Sequence, residues 1–133
     1  GFYVTNLREQ AVAWANNTAR NRKTPALLNR YKLERETILK NYKCKMFKAY
    51  DEEWLEFIAG NRSGLDLAKE FDYVEGGVAN DRVIDTINLY MAGLIPIEIA
   101  LEELSKHQPN NQMCILNQDI INKHLRYDRT EKL

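Results

Sequence analysis

The chain has 133 residues, of which 44% are hydrophobic and 29% charged, with 19 basic and 19 acidic side chains. This length and composition predict one soluble globular domain over residues 1–133 with its own hydrophobic core. The balanced charge gives no support for nucleic-acid binding or for attraction to an anionic membrane surface, and no stretch is long and apolar enough for a membrane span.

The N-terminal part is predicted to contain a strand, a helix and two further strands. Residues 1–5 are β-prone. Asn6 is the predicted N-cap of the helix, with Glu9 completing a capping box, and the polar stretch 16–24 ends it. The apolar stripe of this helix follows i, i+3, i+4 and i+7 spacing through Ala11, Trp14, Ala15 and Thr18. Two strands are predicted next, over 26–33 and, more weakly, over 42–47.

The middle of the chain is predicted to contain two helices and a strand. Asp51 is the expected N-cap of the first helix, which Gly60 ends. A polar loop with one helical turn follows, and the segment "FDYVEGGVAND" is predicted to be a strand that ends in a glycine turn. Asn80 is the expected cap of the second helix, which stops at Gly93.

The C-terminal part is predicted to hold a helix that starts at Pro96, a strand in "QMCIL", a short helix over 118–125 and a loose charged tail. Strands and helices mix without a regular βαβ rhythm. This order predicts an α+β fold.

Several residues that often carry chemistry lack a chemical pattern here. His107 and His124 have no acid or cysteine at metal-ligand spacing, so no metal site is predicted. Cys44 and Cys114 are far apart in the chain, which favours two free thiols over one disulfide and predicts a cytoplasmic protein. The chain has no P-loop and no GxGxxG motif.

Two stretches are candidates for a binding site. Tyr3 on the first strand and Trp14 on the following helix can present two aromatic faces to a planar ligand. The alternative is that Trp14 packs in the core. In "QMCIL", strand alternation places Gln112 on the same face as Cys114, where its amide either faces a cleft or completes a turn.

The opening "GFYVTNLREQAVAWA" resembles the glycine-x-tyrosine segment of ADP-ribosyltransferases of the diphtheria-toxin and poly(ADP-ribose) polymerase type, and "NQMCILNQDIINKHL" resembles their final motif. Nearly the whole chain is also similar to a family of uncharacterised bacterial proteins in the ADP-ribosyl superfamily. The shared pattern includes "WLxFIxxNR" at 54–62, "VANDR" at 78–82 and the asparagine-glutamine pair at 111–112. The resemblance implies a mixed, mainly antiparallel sheet with flanking helices, and NAD as substrate.

The resemblance also implies roles for individual residues. Tyr3 and Trp14 would sandwich the nicotinamide, and Gln112 would stand where the catalytic glutamate is expected. Tyr3 is thereby a candidate catalytic residue as well. Gly1 would be an internal position, with the strand that carries the first NAD contact lying upstream. The remaining implied NAD contacts are Gly1, Thr5, Asn80 and Asp81.

Two departures from the family pattern bear on activity. A neutral amide at Gln112 can hydrogen-bond a ribose hydroxyl, but it cannot stabilise positive charge as a carboxylate does. Ala11 stands where a serine often contacts the nicotinamide amide. The resemblance as a whole implies an enzyme that transfers ADP-ribose from NAD to a protein or nucleic-acid acceptor with release of nicotinamide. The alternatives are a catalytically inactive interaction module of the same fold and a toxin or immunity component.

Overall fold

A computed structural model of the chain describes residues 1–107 and 110–133, apart from the side chains of Asp81 and Arg82. The strands within these residues are β1 (Phe2–Val4), β2 (Leu27–Leu33), β3 (Cys44–Met46), β4 (Tyr73–Gly76), β5 (Gln112–Ile115) and β6 (Leu125–Lys132). The helices are α1 (Arg8–Arg22), α2 (Arg35–Asn41), α3 (Glu52–Arg62), α4 (Asp81–Met91), α5 (Ile97–Ser105) and α6 (Gln118–His124), with a 3-10 turn at Leu67–Glu70. The predicted α+β class is confirmed.

Two sheets form the framework. The larger has the strand order β1-β5-β4-β3, with β5 antiparallel to both of its neighbours and β3 parallel to β4. The smaller consists of β2 and β6, which are antiparallel, with a register shift between Arg30 and Tyr31. The prediction of mixed, mainly antiparallel sheet with helices around it is therefore confirmed. The predicted strand over 1–5 is the edge strand β1.

Two hydrophobic clusters hold the elements together. One lies against the sheet face of Tyr73, Met113 and Ile115 and is completed by Ile38 of α2 and Ile120 of α6. The other joins α3, α4 and α5 and lies at the end of β4, where Phe47 packs over Gly76. Its buried members are Trp54, Leu55, Val83, Ile87, Ala100 and Leu104. No helix within the described residues is long and apolar enough to cross a lipid bilayer.

Cap residues in the sequence predicted some helix ends correctly and others wrongly. Asp51 caps α3 by accepting from the Trp54 amide at 2.9 Å, as predicted. The prediction for Asn6 is wrong, because α1 begins at Arg8 after Leu7 and has no side-chain cap. The Asn6 side-chain oxygen instead accepts from the side-chain Nδ2 of Asn111 at 3.1 Å. A contact between residues distant in the chain thus replaces the local cap.

The prediction that Gly60 ends α3 is also wrong. The helix continues to Arg62, and Gly60 is buried within it. A Cβ at this position would lie 2.7 Å from Cδ1 of Leu67. Glycine here permits close packing of the following turn against the helix, while Gly93, with φ of +72°, does follow the end of α4 as predicted.

Two elements differ more strongly from the sequence prediction. Helix α2 was not predicted, although its single fully buried residue, Ile38, anchors it to the sheet. The tail is not loose, since residues 125–132 form β6 and pair along the whole of β2. Both faces of β6 are largely exposed, so the strand has no apolar alternation by which a sequence could reveal it.

We expect Gly77→Ala to lower the free energy of unfolding by about 1–3 kcal/mol, the usual cost of an overpacked site. A Cβ at Gly77 would clash with Cε1 of the Tyr50 ring. The control is the same substitution in a Tyr50→Ala background, measured by urea denaturation. An equal cost in both backgrounds would show that the Tyr50 ring is not the cause.

Candidate functional site

A cleft of about 960 Å³ lies between β1, α1 and the β2–β6 pair, and is termed the β1 cleft below. Aromatic residues belong to the lining formed by β1, α1 and β2, and four arginines belong to the same lining. The aromatic residues are Phe2, Tyr3, Trp14 and Tyr31, and the basic residues are Arg8, Arg22, Arg30 and Arg129. The structure thus brings Tyr3, Thr5 and Trp14, all predicted site residues, to one cleft.

The α1 wall of the cleft leaves Trp14 available to a ligand. Helix α1 has no fully buried residue, and Trp14 belongs to neither hydrophobic cluster. The stripe of Ala11, Ala15 and Thr18 lines the cleft beside it, so these small side chains leave space near the indole. The alternative that Trp14 packs in the core is therefore wrong, while its role as a ring contact stays a prediction.

Tyr3 is half exposed on β1, directly opposite Cys114 of β5. The electrostatic interaction with the Cys114 thiol raises the pKa of the Tyr3 hydroxyl, and a hydrogen bond with the same thiol raises it further. Burial raises the pKa of Cys114 in turn. Both groups are neutral near pH 7, and Cys114 lacks the depressed pKa of a reactive thiol.

Thr5 has its hydroxyl committed within the protein. Its Oγ1 donates to the Asn111 carbonyl at 2.6 Å and accepts from the Leu7 amide at 3.1 Å. The Gln10 side chain donates to the same carbonyl at 2.8 Å. These bonds tie the start of α1 to the start of β5, so Thr5 lines the cleft while it also holds its wall in place.

Gln112 and Gly1 do not belong to the described lining of the β1 cleft. Gln112 lies opposite Gly76 and two residues from Cys114, so it shares a sheet face with Tyr3. Gly1 lies where a Cβ would come within 2.9 Å of the Cys114 sulfur. The predicted roles of both residues in NAD binding stay predictions.

Asn80 lies beside a second, smaller cleft of about 620 Å³, which Trp14 also lines. The Asn80 side-chain oxygen accepts from the Val83 amide at 3.1 Å, so the residue caps α4 as expected. Tyr3 and Asn80 therefore line different clefts, and Trp14 lines both. The side chain of Asp81, the other predicted residue of this loop, lies outside the described residues.

A buried carboxylate on β4 was missed by the sequence interpretation. Glu75 is 7% exposed and accepts from the Arg35 guanidinium at 2.8 and 2.7 Å and from the Tyr73 hydroxyl at 2.6 Å. Burial acts to raise the pKa of Glu75, but the bonds from Arg35 and Tyr73 outweigh it and lower the pKa. This carboxylate lines neither cleft and joins α2 to the sheet.

A family model described as a protein of unknown function, DUF3990, matches residues 1–127. The chain belongs to this family. No curated protein and no solved structure matches it. The DUF3990 description names no activity and makes no link to ADP-ribosyltransferases, so that resemblance stays a hypothesis. The matched range includes β1, α1 and β2, whereas Arg129 and Glu131 of the cleft lie after its last residue.

We expect Trp14→Ala in this DUF3990 chain to cost about 1 kcal/mol of stability or less, because the indole lies outside the core. The matched comparison is Trp54→Ala, expected to cost about 3–5 kcal/mol, since Trp54 is 1% exposed. Urea denaturation followed by circular dichroism measures both. Equal losses in the two variants would place Trp14 in the core after all.

We expect Glu75→Gln to lower the free energy of unfolding at pH 7 by about 1–3 kcal/mol, because Arg35 loses its charged partner. The pKa of Glu75 is lower in the folded state, so its stabilisation is present above the unfolded pKa of about 4.3 and is lost as the pH falls through the folded value.

The stability of the Glu75→Gln variant should therefore fall less than that of the parent when the pH is lowered from 5 to about 2. Glu36→Gln, an exposed change on the same helix as Arg35, is the control and should retain the parent's acid sensitivity. An unchanged acid profile in Glu75→Gln would contradict the assignment.

Proposed function

We propose that the domain binds NAD or a related nucleotide in the β1 cleft, with slow or absent turnover. The observation that carries the proposal is that Tyr3 and Trp14 line one cleft while Trp14 contributes to neither hydrophobic cluster. A half-exposed phenol and an indole outside the core are suited to stacking on a planar ring. The volume of about 960 Å³ lies within the range of small-molecule sites.

The positions of the acidic side chains support NAD binding without fast transfer of ADP-ribose. Transfer of ADP-ribose breaks the bond between the nicotinamide nitrogen and C1′ of the ribose, and the electron pair leaves with nicotinamide. The acceptor nucleophile then bonds to C1′ and loses its proton to water. Positive charge develops on the ribose during this step, and an ionised carboxylate nearby would stabilise it.

No carboxylate in the described lining of the β1 cleft is free for that role. Glu131 is the acid in the described lining of the β1 cleft, and both of its oxygens accept from Arg8, at 3.0 and 2.7 Å. Glu75 is occupied by Arg35. Gln112 is neutral and lies outside the cleft lining. The same arrangement favours the inactive binding module over the enzyme.

Calorimetric titration of the full chain with NAD tests the binding proposal. We expect Trp14→Ala and Tyr3→Leu each to weaken NAD binding by between about twofold and tenfold, the equivalent of one aromatic contact. Tyr127→Leu is the control, because Tyr127 is 60% exposed, similar to Tyr3 at 56%, and does not belong to the described cleft lining. Equal weakening by all three variants would remove the case for stacking.

A nicotinamide-release assay tests the statement on turnover. The parent should release nicotinamide slowly or not at all, and Gln112→Glu should increase the rate if Gln112 stands at the position of the catalytic glutamate. Fast release by the parent would show that the amide is no handicap. A folded chain that binds no NAD would leave the partner-binding module as the better proposal.

A further inference from the structure

Two arginines stand directly opposite each other on the β2–β6 pair. Arg30 is the register partner of Arg129, so both side chains leave the same face of the strand pair. Like charges in this arrangement destabilise a sheet. The Nε of Arg30 lies 3.5 Å from Oδ2 of Asp128, whereas Arg129 has no carboxylate at ion-pair distance among the described residues. An anion bound between the two guanidinium groups would remove this repulsion.

The same face carries a local excess of positive charge. The described lining of the β1 cleft includes four arginines and one acid, Glu131, although the chain as a whole has no net charge. Glu131 uses both oxygens for Arg8, so it does not neutralise Arg129. The pKa of Glu131 is lowered by its hydrogen bond with Arg8 and further by the charges of Arg129 and Arg30. The positive charge around this carboxylate exceeds its own.

We propose that Arg30 and Arg129 form a binding site for the diphosphate group of a nucleotide. A guanidinium donates two parallel N–H bonds to phosphate oxygens, so two opposed arginines match a pair of linked phosphates better than a single one. Both arginines line the cleft that Tyr3 and Trp14 also line. A ligand with a planar ring and a diphosphate would use both parts, so this inference rests on the proposed nucleotide binding and names its phosphate contacts.

The test measures binding of inorganic pyrophosphate, ADP and AMP to the full chain by calorimetry at low salt. ADP should bind more tightly than AMP, and pyrophosphate should bind without any ring. The double variant Arg30→Gln/Arg129→Gln should weaken the binding of pyrophosphate and of ADP by at least about tenfold. Arg126→Gln removes the same charge from β6 at a residue absent from the described cleft lining, and should leave both affinities unchanged.

A second measurement keeps the proposal testable if a variant folds poorly. Without pyrophosphate, Arg129→Gln should melt at the same temperature as the parent or higher, because it removes the repulsion from Arg30. With pyrophosphate, the parent should gain thermal stability and Arg129→Gln should gain little. Glu131→Gln should bind pyrophosphate more tightly than the parent, because it removes the competing anion.

The outcomes separate this proposal from the proposed function. Binding of pyrophosphate that depends on Arg30 and Arg129, in a chain that binds no NAD, would leave the diphosphate site standing and overturn the assignment of NAD. Binding of NAD that depends on Trp14, but with no effect of the double variant, would overturn the diphosphate site alone. The diphosphate site would also be overturned if Arg126→Gln lost as much affinity for pyrophosphate and ADP as the double variant does. Tighter binding of a single-stranded oligonucleotide than of ADP, or no binding of pyrophosphate, would overturn it as well.

Discussion

The antiparallel pairing of β5 with both of its neighbours is the interaction on which the rest of the structure depends. Only four residues, Gln112–Ile115, join β1 to β4. Met113 and Ile115 are buried in the cluster formed with α2 and α6, so a slip of one residue would turn both towards the other face of the sheet. That register places β1 at the edge of the sheet, and the bonds from Thr5 and Gln10 to Asn111 then fix where α1 begins. One wall of the β1 cleft follows from this short strand.

The opposite wall is held in a different way. Helix α6 leads from β5 into β6, where Leu125 pairs with Leu33, and the Glu34 amide donates to the His124 carbonyl at 3.0 Å. The β2–β6 pair buries little apolar surface, and its backbone ladder joins only the two strands to each other. Leu33 and Leu125, the edge contact of Phe2 with Tyr31 and the Arg8–Glu131 ion pair connect the pair to the remainder. A wall with few core contacts can carry polar and charged side chains towards the cleft, because burial does not restrict its residue types.

The distribution of charge separates structure from binding. The strongly bonded carboxylate of Glu75 lies on the sheet face that carries a core cluster, where Arg35 and Tyr73 satisfy it. The lining of the β1 cleft instead includes aromatic residues of β1, α1 and β2 and an excess of arginine on β2, β6 and α1. Rings and guanidinium groups recognise planar and anionic parts of a ligand, whereas transfer chemistry on a ribose calls for a free carboxylate. This contrast is the physical reason for proposing nucleotide binding with little turnover.

Signals that act within a few residues determined much of this protein from the sequence alone. The caps at Asp51 and Asn80, the turn at Gly93 and the alternation through Met113 and Ile115 each depend on neighbouring residues, and each is present in the structure. The tertiary structure alone decided that the polar tail pairs with β2, that Arg30 meets Arg129, that Glu75 is buried and that Gln112 lies outside the cleft lining. These features arise between segments far apart in the chain, and register between distant strands leaves no local pattern when both faces are exposed.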